Sequence, residues 1–410
     1  MKKLLLVLLI LSLFINHLNA NEKDLQIIQK DKKEYRLLDK ESIQTRQQSQ
    51  KYDWISPIDL SGNIGRNHSF SDENSRNLNN KNTKSASIGF TQSIFESGGI
   101  GFKMDYADNR FKYEMLSWEN QNSQLIYTIY NTLLDIKKLK LEINQNDYRI
   151  VNKDIELIIK KIQYEAGKTD IIELNNAIMS KNLILKEEIA LKNSLKEKEQ
   201  ELAKYTDLKY DEIEILDFQE TNKEIFLDKN YSILEADAKV EMLNSEYKIK
   251  KSQYLPKLSL SAKASYSNQD EKFNSMINDT NKDDASSSGS LILSMPLYDY
   301  TKSSKIQESK IEVLKQKALV NDLKNETAFE YEQIFTKIDT YLKQNETINK
   351  NIKLYEELIG ANQISSEAGM TSKYDLEILE NTKTVNEFDI LINNINILQQ
   401  YAKLYFKIKN

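Results

Sequence analysis

The 410-residue sequence predicts a mainly α-helical chain that also carries four amphipathic β-strands suited to a membrane. Three observations predict it. Helix breakers are scarce, with 3 Pro and 10 Gly, against about 20 and about 29 at average usage. Four stretches, 102–166, 168–255, 297–359 and 370–410, contain neither residue, which permits very long helices. Four other segments of about 10 residues alternate apolar and polar side chains with period two.

Composition excludes several function classes. There is no Cys, so no disulfide scaffold, Cys-type zinc site or thiol nucleophile. The only histidines are His17, in the N-terminal leader, and His68, in a polar loop. A histidine triad or multi-His metal site is therefore excluded. Carboxylate pairs recur throughout, as solvated helix faces do. The expectation is no enzyme, no cofactor and no metal site.

Met1–Ala20 reads as a secretory signal peptide. Lys2 and Lys3 precede an apolar run of 12 residues, Leu4–Ile15, and Leu18-Asn19-Ala20 ends in a small residue, which places cleavage after Ala20. The run is short of the roughly 20 residues a helical span needs. Without Lys2 and Lys3 the chain keeps 55 basic and 62 acidic residues, a net charge of −7. No basic domain is present, so nucleic acid is not an expected partner. No other segment offers a helical span, so membrane insertion must use β-strands.

After a short helix before Trp54, the first strand is expected near 56–68. Ile58, Leu60 and Ile64 point one way; Asp59, Ser61 and Asn63 point the other. In the second, near 85–95, Ala86, Ile88, Phe90 and Ile94 alternate with small polar residues, and Gln92 breaks the apolar side. The third, near 257–267, alternates Leu258, Leu260, Ala262, Ala264 and Tyr266 with Ser and Lys. In the fourth, near 288–297, Leu291, Leu293, Met295 and Leu297 share a face. This matches tilted transmembrane strands, with Ser, Thr, Asn and Gly facing a wet lumen. The strands read as two hairpins with long polar loops, about 67–84 and 268–287. Trp54, Phe95, Tyr254 and Tyr298 lie at the strand ends that lead toward helices, where an interfacial aromatic girdle belongs.

Gly98-Gly99-Ile100-Gly101 lacks the spacing and Lys-Ser/Thr of a phosphate loop; it reads as a flexible strand-to-helix junction. A helix of about 62 residues spans about 93 Å, too long for one compact globular domain. In the last helix Val385, Phe388, Ile392, Ile395 and Leu398 form a stripe that antiparallel coiled-coil packing buries. Gly167 and Gly369 each break helical sequence, as a helix–turn–helix with glycine at positive φ requires. Residues 208–227, with Glu212-Ile213-Glu214-Ile215-Leu216, read as a small insertion.

The halves repeat at an offset of about 200 residues. Ser93-Ile94-Phe95-Glu96 corresponds to Pro296-Leu297-Tyr298-Asp299, Glu165-Ala166-Gly167-Lys168-Thr169 to Glu367-Ala368-Gly369-Met370-Thr371, and Glu173-Leu174 to Asp375-Leu376. The organisation read is a leader, 1–20; a first repeat, 21–207; an equatorial segment, 208–227; and a second repeat, 228–410. Four strands cannot close a barrel with a lumen, and an open sheet edge is not tolerated in lipid, so more than one copy is required.

This repeated order, from Gln92-Ser93-Ile94-Phe95-Glu96-Ser97-Gly98-Gly99 through Tyr164-Glu165-Ala166-Gly167 to Glu173-Leu174 and again in the second half, resembles the TolC family of outer-membrane efflux and secretion channels. The resemblance implies a homotrimer with a 12-strand transmembrane β-barrel and a periplasmic tunnel of long antiparallel coiled-coil helices. It implies an exit duct in the outer membrane of a Gram-negative bacterium, surrounded by outer-membrane lipid. The expected partners are a periplasmic adaptor (membrane fusion) protein and an inner-membrane pump of the RND, ABC or MFS type. The tips that contact the adaptor would be Ala166, Gly167 and Lys168, with Ala368, Gly369 and Met370. Glu173 and Asp375 would ring the periplasmic gate, with Glu377 and Glu380 as nearby alternatives. The competing reading is a secreted periplasmic coiled-coil adaptor or structural protein.

Overall fold

The computed structural model describes residues 25–70, 78–214, 216, 218, 220–272, 280–367 and 372–409. The leader Met1–Ala20 and the second tip, Ala368, Gly369 and Met370, lie outside the described residues. After a 3-10 turn at Leu25–Ile27, the described elements, in chain order, are α1 (Lys30–Tyr52), β1 (Asp59–Phe70), β2 (Leu78–Phe95), α2 (Gly99–Glu165), α3 (Ile171–Ala203), α4 (Lys223–Asp228), α5 (Tyr231–Ser252), β3 (Lys257–Lys272), β4 (Thr280–Ser294), α6 (Lys302–Glu367) and α7 (Lys373–Phe406). At 67 and 66 residues, α2 and α6 are each about 100 Å long. Gly360 sits inside α6 with open space where a Cβ would stand. The helix absorbs its cost of about 1 kcal/mol.

The strands form one sheet of order β1-β2-β3-β4, every neighbouring pair antiparallel. The two expected hairpins are thus joined through β2 and β3. Each strand of those two has a second edge of unpaired backbone groups, and pairing them satisfies both. Both hairpins also run further outward than their apolar–polar alternation does, to Phe70 and from Leu78, and to Lys272 and from Thr280. Backbone hydrogen bonding extends a ladder that side-chain alternation no longer marks. At the other end, β4 stops at Ser294, short of the expected Leu297; Pro296 has no N–H to donate.

Contacts divide the chain into two compact units. One comprises residues 1–40, 116–235 and 321–410; the other comprises 41–115 and 236–320. In the first, Phe226 of α4 packs with Ile334, Ile338, Leu404 and Ile408, flanked by Tyr331, Phe335, Ile397 and Tyr401. Phe226 is fully buried, which anchors the six-residue α4. The chain end is tied beside it: Tyr231 N–H donates to the Lys407 carbonyl (3.0 Å) and Lys409 N–H to that of Lys229 (2.8 Å). Helix α1 is locked by Arg36. Its guanidinium donates to Asn122 Oδ1 (2.6 Å), Gln121 Oε1 (2.8 Å) and the Trp118 carbonyl (3.0 Å). The Trp118 indole N–H donates back to the Arg36 carbonyl (2.8 Å).

The second unit contains the sheet and its junctions. Between β2 and α2, Ser97 and Gly98 both take positive φ, +51° and +87°. Ser97 Oγ donates to the Pro256 carbonyl (2.7 Å), and buried Glu96 pairs with Lys103 (2.9 Å). A Cβ on Gly99 would meet Ser252 Oγ at 2.8 Å. The expected flexible junction is therefore a specifically bonded turn that needs glycine for space and for φ.

Candidate functional site

The sheet's register decides which side chains share a face. Leu60 opposes Ile88, which opposes Ala264, which opposes Ser287; Gly62, Ala86, Tyr266 and Ala285 form the next row. Toward the strand ends that join the helices, Gln92, Leu260 and Leu291 align, then Phe95, Leu258 and Leu293. Within the ladders the four apolar stripes share one face, with one change from the expected pattern: a register shift between Ser93 and Phe95 puts Phe95 rather than Ile94 opposite Leu258, and Met295 and Leu297 lie past the end of β4. From Leu258 to Tyr266 this face extends about 26 Å along β3. It is open: Ile64 is 83% and Leu293 72% exposed.

The opposite face is a field of hydroxyls that bond across strands. Ser61 pairs with Ser87 (2.8 Å), Thr91 with Ser261 (3.1 Å) and Ser265 with Ser286 (2.8 Å). Among the described residues the lateral edges of β1 and β4 have no partner strand in the sheet. Gln92, the exception to the apolar pattern, accepts from Ser56 N–H (2.9 Å) and donates to the carbonyls of Trp54 (3.0 Å) and Ser93 (2.9 Å). It fastens the chain just before β1, where the backbone ladder has not begun.

The four aromatic positions lie beside one end of the sheet, since Phe95 opposes Leu258 and Lys257 opposes Ser294. Phe95 and Tyr298 are exposed and Trp54 is half-buried. Tyr254 is buried, and the Lys302 ammonium lies 5.4 Å from its ring centroid. Tyr300 is exposed as well.

In the first unit, α2 ends at Glu165 and turns through Ala166-Gly167-Lys168. Gly167 has φ +68°. Its N–H donates to the Tyr164 carbonyl (3.0 Å), and Lys168 N–H reaches back to Gln163 (2.8 Å). These are the two bonds of a Schellman turn, with glycine at the left-handed position. Asp170 then caps α3, accepting from Glu173 N–H (2.9 Å). Glu173 lies in the first turn of α3, where the helix dipole favours an anion, and its carboxylate pairs with Lys160 (3.0 Å). Asp375 holds the equivalent place in α7, after the cap Ser372. Among the described residues its carboxylate forms no ion pair. Glu377 and Glu380 follow on α7.

A polar seam that sequence reasoning missed joins α2 and α7. Lys138 donates to Asn396 (3.3 Å), Gln145 to Asp389 (2.6 Å) and the Val385 carbonyl (2.9 Å), and Asn152 to Thr382 (3.2 Å). Each step of seven along α2 meets a step of seven back along α7. Gln145 is 4% exposed. Buried polar groups at heptad positions fix helix register, because a slip would leave them unpaired. The signal available in the sequence was Gln145 and Asn152, seven apart on one helix.

Among the described residues no helix is long and apolar enough to cross a membrane, which says nothing about strands. No group of three or more His, Cys, Asp or Glu among them could hold a metal ion.

The family model described as outer membrane efflux protein matches residues 224–387. No curated sequence matches the chain significantly. The fold is similar to that of the outer membrane protein VceC from Vibrio cholerae, with TM-score 0.70, 13% identity, and 93% of this chain and 94% of that chain covered. The Campylobacter jejuni CmeC outer membrane channel gives TM-score 0.70 and 14% identity, over 94% of this chain and 83% of that one. The open state of the Neisseria gonorrhoeae MtrE outer membrane channel gives 0.67 and 12%, over 94% and 87%.

Proposed function

We propose that this chain, an outer membrane efflux protein by the match of its second half and a TolC-type channel by fold, is the outer-membrane exit duct of a tripartite efflux or type I secretion system. One observation carries the reading. The register gathers four apolar stripes on one face of a sheet, hydroxyls on the other, and leaves both lateral edges unpaired. In lipid each unpaired backbone group costs several kcal/mol, so the edges must meet other copies. Three copies supply 12 strands, an even and closable number. The 26 Å apolar stretch, tilted by about 40°, stands about 20 Å tall, close to the ~25 Å band of such barrels.

The helices of three copies then surround a periplasmic passage. The α7 stripe of Val385, Phe388, Ile392, Ile395 and Leu398 is only half-buried in one chain, which supports further packing against a second copy. The organisation is two repeats, 21–207 and 228–410, around an equatorial segment, preceded by a leader removed after Ala20. The duct performs no chemistry and supplies no energy. An inner-membrane pump provides both energy and choice of cargo, and an adaptor meets the tips at Ala166-Gly167-Lys168 and Ala368-Gly369-Met370. Glu173 and Asp375 ring the periplasmic gate, favouring cations and binding divalent ions. Phe95 and Tyr298 lie at the membrane interface with Trp54 and Tyr254. The adaptor or structural-protein reading has no observation in its favour, since the exposed apolar face would have no occupant.

The test is fractionation and native electrophoresis. A heat-modifiable, detergent-resistant trimer in the outer membrane is the expected result. Recovery as a soluble protein after osmotic shock would overturn the reading. For the gate, single-channel recordings of Glu173→Gln and Asp375→Asn with added Mg²⁺ should show weaker blockade and less cation preference. Unchanged values would remove the gate role from both residues.

A further inference from the structure

The hydroxyl face of the sheet carries a row with charges of both signs; Asp284, opposite Ser267, and Lys257, opposite Ser294, are charged in other rows of that face. Asp59 opposes Gly89, Gly89 opposes Lys263, and Lys263 opposes Ser288. The row beyond it is Ser61, Ser87, Ser265 and Ser286. On the helix side the rows are Thr91, Ser261, Ser290 and then Ser93, Ser259, Ile292. Within these four rows Asp59 and Lys263 are the only charged side chains of that face.

The two charges are held apart. They stand two strands from each other, about 9.6 Å, and among the described residues neither forms an ion pair. Glycine is required between them: a Cβ on Gly89 would meet the Ala262 carbonyl at 2.9 Å and Lys263 Cβ at 3.3 Å. The bare position opens a shallow hollow of about 450 Å³, lined by Asp59, Lys263 and the hydroxyls of Ser61, Ser87, Thr91 and Ser261. An ammonium and a carboxylate therefore both face solvent over a floor of neutral hydroxyls.

We infer that Asp59 and Lys263 form a charge-balanced girdle in the barrel lumen, whose balance keeps the exit passage from favouring either sign of ion, so that loss of Lys263 biases it toward cations and loss of Asp59 toward anions. This rests on the duct reading above. Twelve strands spaced about 4.8 Å and tilted about 40° enclose a backbone radius of about 12 Å. The Debye length is about 10 Å in 0.1 M salt and about 3 Å in 1 M. In the intact trimer three carboxylates and three ammoniums stand at about the same distance from the axis and nearly cancel there; removing either sign leaves a single-signed ring whose field reaches the axis at low salt and is screened at high salt. The lining hydroxyls orient dipoles but carry no net charge, so any imbalance of charge at this level comes from these two residues.

The test uses the absence of cysteine from the chain. Lys263→Cys gives a single reactive site. The full-length trimer in a planar bilayer is exposed to a cationic or an anionic methanethiosulfonate reagent, and the reversal potential is read in a KCl gradient around 0.1 M. The two labels should move the K⁺/Cl⁻ permeability ratio in opposite directions, roughly twofold or more between them at this ionic strength. The difference should vanish near 1 M. Because both labels act on the same folded pore, folding cannot mimic the result. Asp59→Asn should shift the ratio toward Cl⁻ and Lys263→Gln toward K⁺. A cysteine that stays unlabelled in conducting channels, or complete labelling with an unchanged ratio, overturns the inference and leaves the duct standing. A wild-type trimer that does not conduct defeats the duct reading and this inference together.

Discussion

Replacing Gln92 by leucine would complete the apolar alternation of β2, and on pattern alone it should strengthen the strand. The structure predicts the reverse. The side chain makes three hydrogen bonds, to Ser56 N–H and to the carbonyls of Trp54 and Ser93. At about 1 kcal/mol net each, their loss costs about 3 kcal/mol. Leucine returns about 1 kcal/mol through apolar burial at a half-buried position. The net loss is about 2 kcal/mol, a factor of about 30 in the folding equilibrium. It falls on the segment before Asp59, where no backbone ladder to β2 substitutes. Gln92→Met, which keeps the side-chain length without the bonds, should lose a similar amount. Urea unfolding in detergent micelles, followed by tryptophan emission, measures this because Trp54 sits in the affected segment. A Gln92→Leu variant as stable as the wild type would refute the reasoning, since the three bonds would then contribute nothing beyond solvent.

Gly167→Ala forces a Cβ into a φ of +68° and should cost about 1–2 kcal/mol, read as a lower unfolding midpoint with the secondary structure retained by circular dichroism. Arg36→Met leaves Asn122 Oδ1 and the Trp118 carbonyl without their charged donor, at about 3 kcal/mol or more; limited proteolysis should cleave α1 first. The Glu330 carboxyl is held below its ordinary value of 4.5: burial works against the charge, but hydrogen bonds from Lys403 and Lys407 outweigh it. A depressed carboxylate stabilises the fold above its unfolded value, and that contribution is lost as pH falls below about 4.5. Glu330→Gln should therefore flatten the acid limb of the stability–pH curve, and an unchanged limb would show that the pair of lysines is not engaged.

Much of this architecture was legible because it rests on local rules. The scarcity of Pro and Gly permits long helices, and α2 and α6 are long. Gly167 marked a turn because a helix can end in that geometry only where a side chain is no hindrance. Period-two alternation located the four strands and sorted their faces, since successive Cβ atoms must point to opposite sides. The resemblance placed the whole in a channel family, which the fold and the match over 224–387 support.

What the sequence could not determine was anything that needs a partner distant in the chain. The pairing of β2 with β3, separated by the four helices α2 to α5, depends on backbone groups that are alike in every residue. Gln92 looked like a flaw because its partners, Ser56 and Trp54, were not visible as neighbours. The burial of Gln145 depends on α7, whose Val385 and Asp389 its side chain meets. Asp59 and Lys263 were two charges among many until Gly89 set them in one row. Alternation and breaker frequency are properties of one segment. Register is a property of two, and only the tertiary structure decides it.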